Sequence, residues 1–225
     1  MVIDNLTKST DEILLILCKT VQKVLKKASA QEITFSPFVQ KINRTCLKPD
    51  IGCFTIFEGG ISGLLVMNFS KEAALDIYRS YMIHMGMPKD ELSILHTSDD
   101  VANVLGELMN QAMGHFQTDL RNELHVTIKQ NQPKMLVITK DISISIDTQI
   151  DDPLYRRVSF ETEKHRPFFL ELGIENTEFE LLFPYEKEEE EDVEEIFMKA
   201  KRQHQEKEDS TTGMADESFI KKMGL

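Results

Sequence analysis

Two apolar runs, Gly-Cys-Phe-Thr-Ile-Phe at 52–57 and Ser-Gly-Leu-Leu-Val-Met-Asn-Phe at 62–69, flank Glu58-Gly59-Gly60. A Gly-Gly pair between two such runs is a strong hairpin signal, because tight hairpin turns need positive φ. A hairpin commits the chain to antiparallel pairing and to burying one face of the resulting sheet. Further strand-like segments lie at 33–36 (interrupted at Pro37), 125–129, 135–138, 142–146, 158–162 and 168–174. Several alternate apolar and polar residues, which predicts a half-exposed antiparallel sheet.

Helical periodicity appears three times. Ser9 and Glu12 form a capping box ahead of Ile13, Leu14, Leu17, Val21, Val24 and Leu25, with Lys26 and Lys27 near the end of the helix. Ser70 caps a second helix whose apolar positions are Ala74, Ile77, Tyr78, Tyr81, Met82 and Met85, and Gly86 and Pro88 stop it. A third starts at Thr97 or Ser98 and runs to about Leu120. Helices and strands are not strictly interleaved. The expected architecture is therefore α+β, an antiparallel-rich sheet packed with long helices.

At 225 residues and 41% hydrophobic, the chain holds one ordinary domain with some length to spare. The character changes after Pro184, which sets the expected division: a domain over 1–184 and an acidic, partly disordered or helical tail over 185–225. The run Glu-Lys-Glu-Glu-Glu-Glu-Asp at 186–192 concentrates negative charge there. Ile196, Phe197 and Met198 give a helix over 193–207 little apolar face, and 209–216 reads as disordered. The apolar residues of 218–225 read either as a frayed end or as a short docking peptide.

A net charge of −12 repels phosphate backbones and disfavours nucleic-acid binding. With no apolar run of 18 residues and no basic leader with a cleavable stretch, the expected setting is the cytoplasm, away from membranes. Cys18, Cys46 and Cys53 form no CxxC pair; the first and last read as small core residues, and disulfides and a cysteine zinc site are not expected. The six histidines show no metal-ligand spacing, and neither a phosphate loop nor a GxSxG elbow is present. No metal site is expected.

The third helix has an apolar face and an opposite face marked by two glycines. At about 100° per residue, Val101, Val104, Leu105, Leu108, Met109, Ala112 and Phe116 share the core face. Asn103, Gly106, Glu107, Asn110 and Gly114 lie opposite, with Gln111 alongside. Glu107 and Asn110, three apart, are neighbours on that face. Each glycine costs the helix about 1 kcal/mol relative to alanine. Two readings fit: a solvated polar face with incidental glycines, or a face kept bare for close approach by another backbone, with Asn110 reaching into a partner.

The segment Gly106-Glu107-Leu108-Met109-Asn110-Gln111-Ala112-Met113-Gly114 resembles the ExxN signature helix of the CheC/CheX/FliY phosphatase family. The order of elements around it agrees, and Gln132-Pro133 with 134–138 looks like the proline-led strand that follows the signature helix in CheX. The resemblance spans roughly residues 9–180. Asn103 stands where the family often has Asp or Ser, and Thr139 where it usually has Gly. A single ExxN helix points to the CheX type, whose members are dimers.

The resemblance implies a phosphatase acting on the aspartyl phosphate of a CheY-like receiver domain. Glu107 and Asn110 would be catalytic, and Asn103, Gly106, Gln111 and Gly114 would bind the partner. Asn110 would orient a water in line with phosphorus, and Glu107 would pair with the receiver's lysine. The chain would need no cofactor of its own, since the receiver supplies Mg²⁺. Relatives of the fold, such as the middle domain of FliM, resemble these phosphatases yet serve as docking scaffolds. The alternative function is thus a non-catalytic receiver-binding module.

Overall fold

The computed structural model describes residues 7–8, 10–138, 144–145, 150, 152–175 and 179–180. In chain order the elements are β1 (Thr7–Lys8), α1 (Thr10–Ser29), β2 (Ile33–Phe35), β3 (Gln40–Lys41), β4 (Cys46–Leu47), β5 (Ile51–Gly59), β6 (Gly63–Phe69), α2 (Lys71–His84), a 3-10 turn (Lys89–Glu91), α3 (Asp99–Leu124), β7 (Ile128–Gln130), β8 (Lys134–Val137), β9 (Ile144–Ser145), β10 (Pro153–Thr162), β11 (Pro167–Glu175) and β12 (Phe179–Glu180). The main sheet runs β2-β10-β11-β6-β5-β7, with β3 also pairing with β10 and β8 with β5. Its pairings are antiparallel. This is the expected α+β arrangement. The expected cap at Ser9, the position of Thr139 and the tail over 185–225 fall outside the described residues.

The hairpin forms where the glycines place it, with Phe57 opposite Gly63. Its loop is longer than a two-residue turn, and only the first glycine has a positive φ, +143°. Gly59 still pairs with Ile128 in β7. An added Cβ there would lie 2.5 Å from the Thr127 carbonyl oxygen, so both dihedral and close approach demand glycine.

All three helices cover one face of the sheet. Ile13, Leu17, Val21, Ile77, Tyr78, Leu105, Leu108 and Phe116 pack with Phe57, Met67, Phe160, Phe168 and Leu170 in a single core. The Ser70 cap holds as expected: its hydroxyl accepts from Ala73 N at 3.2 Å, while donating to Pro167 O at 3.0 Å. Met85 departs from expectation. It lies just past α2 and is exposed, since the helix ends at His84 before its side chain can turn inward.

The sheet's other face is not the open surface that alternation predicts. Every residue of β6 is buried, and Leu64 and Val66 meet Leu47 and Ile138 in a second small apolar cluster. Buried polar groups hold this covering layer in place. Asn68 Oδ1 accepts from Lys48 N and its amide donates to Cys46 O, both at 2.8 Å. Glu171, fully buried, accepts from Cys46 N at 2.9 Å with one carboxylate oxygen and from Arg157 Nη2 at 2.6 Å with the other. The strand expected at 125–129 instead starts at Ile128 and reaches Gln130, because α3 runs on to Leu124 and His125 caps it in the left-handed region, φ 54°.

Candidate functional site

Ser98 starts α3, accepting from Val101 N at 3.4 Å, and Asp99 and Asp100 suit the helix dipole in its first turn. Because Val101, Leu105, Leu108, Met109, Ala112, Met113 and Phe116 are drawn into the core, the opposite residues are forced outward. Asn103, Glu107, Asn110 and Gly114 are exposed, and Gly106 and Gln111 are half-buried. The structure therefore brings all six of the singled-out residues to one side of one helix, and keeps Glu107 and Asn110 clear of the core.

Local contacts order that face. Gln111 Nε2 donates to Glu107 Oε1 at 3.0 Å, one helical turn away, so Gln111 acts first on its own helix. Gln130 Nε2, on β7, donates to Asn110 Oδ1 at 2.8 Å. Sequence reading did not single out Gln130. The available signal was its period-two alternation with the core residue Ile128, which sends a polar side chain to a different environment from that of its neighbour Lys129.

The two glycines differ. A Cβ added at Gly114 would meet nothing within 4 Å, so the helix backbone there is open to approach. Gly106 is not bare in the same way. Met135 on β8 lies over it, its Cγ 3.4 Å from where a Cβ would stand. The open stretch of backbone thus lies on the C-terminal side of Asn110. His115, next to Gly114, is exposed. Among the described residues, no three His, Cys, Asp or Glu side chains come together as metal ligands, and no helix is long and apolar enough to cross a membrane.

Solved structures share this architecture. The chemotaxis protein CheX from Desulfovibrio desulfuricans aligns with a TM-score of 0.58 at 20% identity, over 73% of this chain and 99% of that one. CheX in the CheX–CheY–BeF₃–Mg²⁺ complex from Borrelia burgdorferi aligns at 0.54 and 15% identity, over 73% and 98%. FliY from Thermotoga maritima gives 0.53 and 19%, over 74% and 87%. The resemblance first carried by residues 106–114 is thus borne out at the level of the fold. No curated protein matches the sequence. A family model matches nearly the whole length, residues 4–225, and on that match the chain belongs to the family described as protein of unknown function (DUF3334).

Proposed function

We propose that the chain docks onto a phosphorylated CheY-like receiver domain through the exposed face of α3 and hydrolyses its aspartyl phosphate. The observation that carries this reading is the placement of Glu107 and Asn110. Both are exposed, one turn apart on a helix whose other side is core, with open backbone at Gly114 one turn further on. A carboxamide suits an anionic phosphoryl group because it offers one acceptor and two donors without a repelling charge. Asn110 holds a water in line with phosphorus. The water oxygen forms the new P–O bond as the bond to the aspartyl oxygen breaks. The electron pair returns to that carboxylate, and the water's proton leaves to solvent with inorganic phosphate.

Glu107, oriented by Gln111, pairs with the lysine beside the receiver's phosphorylation site and fixes the register of docking. The receiver's own Mg²⁺ and lysine carry most of the developing charge, so two side chains suffice here. In the same reading the chain works in the cytoplasm as a homodimer; light scattering of the purified protein checks the assembly.

The test is phosphate release from CheY-like receivers phosphorylated with acetyl phosphate. Wild-type chain accelerates it, and Asn110→Ala abolishes the acceleration while the unfolding midpoint stays put, since the side chain is exposed. Equal rates with wild type and variant sink the catalytic role. Binding of a BeF₃⁻-loaded receiver without hydrolysis by wild type would establish the docking module instead.

A further inference from the structure

We propose that Gln130 is a positioning residue that fixes which way the Asn110 carboxamide faces. Its chemical consequence rests on the function proposed above; the contact itself does not. Gln130 Nε2 donates to Asn110 Oδ1 across 2.8 Å, from the end of β7 to the middle of α3. The strand that carries Gln130 is held firmly. Gln130 lies opposite Phe57 in β5, and the next residue is pinned twice, Asn131 N donating to Ile56 O at 2.8 Å and Asn131 O accepting from Thr55 Oγ1 at 2.7 Å.

An exposed asparagine amide otherwise turns freely, because its terminal torsion is broad and roughly two-fold. It would offer oxygen and amino group to a partner interchangeably. A donor fixed in the sheet selects the oxygen, occupies one of its two lone pairs and directs the amino group away from β7. The second lone pair and both N–H donors remain for water and phosphoryl oxygen. Gln130's own oxygen is buried and has no partner. Buried polar atoms are ordinarily paired, so a glutamine serving only to pack would be replaced by an apolar side chain at no loss. Its donor end gives the amide at this place a role that packing alone does not.

Two measurements decide the matter. In ¹H–¹⁵N spectra of the full chain, the Gln130 side-chain amide resonances shift when Asn110→Ala removes the acceptor; resonances that stay in place overturn the contact. With an acetyl-phosphate-charged CheY-like receiver, Gln130→Met, similar in length but without a donor, lowers kcat about tenfold, the worth of one hydrogen bond expressed at the transition state. Affinity for the BeF₃⁻-loaded receiver is unchanged, a split that loss of packing would not give.

Gln130→Glu keeps the size of the side chain but replaces its donor with a second acceptor oxygen, so it turns the Asn110 amide round. Its kcat falls at least as far as that of the methionine variant, and wild-type kcat in either variant overturns the positioning role. A wild-type chain inactive on every receiver, with the Gln130 shift intact, sinks the phosphatase reading and leaves the clamp as a feature of a binding face.

Discussion

Burial pushes the thiols of Cys18 and Cys53 up to about 12, because a thiolate in the core would lose its hydration without gaining a partner. The sign is clear: a raised pKa keeps each thiol protonated, hence unreactive, at every pH below that value. Cys46, in β4, is half-buried. Titration of the native chain with an aromatic disulfide reagent at pH 8 should therefore leave Cys18 and Cys53 unmodified, and full denaturation should release all three thiols. Modification of Cys18 or Cys53 in the native state at the rate of a free thiol would contradict their placement in the core. The same logic runs in reverse at Asn110, where an exposed polar group carries no desolvation cost and can spend on a partner the hydrogen bonds that Gln130 does not take.

For α3 as an element, Gly114 sets stability against docking. With nothing within 4 Å of an added Cβ, Gly114→Ala should stabilise the helix by about 1 kcal/mol, which for a chain of this length raises Tm by about 2–4 °C. Gly114→Leu should keep most of that gain yet weaken binding of a BeF₃⁻-loaded receiver, because bulk then stands where the partner backbone approaches. Titration calorimetry alongside thermal melts separates the two effects; a leucine variant that binds as wild type does removes this stretch from the interface. The face itself was legible in the sequence, since a 3.6-residue period assigns Glu107 and Asn110 to the side opposite Leu105 and Leu108 without reference to anything else. What covers part of the face was not. Met135 over Gly106 and Gln130 against Asn110 both come from strands that follow the helix. Their positions depend on pairing with β5, a long-range register that no local pattern encodes.

In the whole molecule, the antiparallel class followed from the Gly59 hairpin, but the second layer did not follow from anything periodic. Alternation in β10 reads as a sheet with one wet face, whereas the segment through Cys46 and Leu47 folds over that face and buries it. The anchor is a carboxylate. Glu171 sits fully buried between Cys46 N and Arg157, whose Nε and Nη2 both reach the same oxygen at 2.8 and 2.6 Å. A charge so placed is tolerable only while it is paired and hydrogen-bonded. Removing Arg157 alone leaves it uncompensated, at a cost of about 3 kcal/mol. Arg157→Leu should thus lower the urea midpoint sharply, and Arg157→Leu with Glu171→Leu should recover part of the loss, because the unpaired charge goes with its partner even though Cys46 N then lacks an acceptor. The helical face of the core is untouched by either change, so Asn110 and Gln130 should keep their contact in the double variant. An Arg157→Leu chain as stable as wild type would mean that the covering layer is held by its apolar cluster alone.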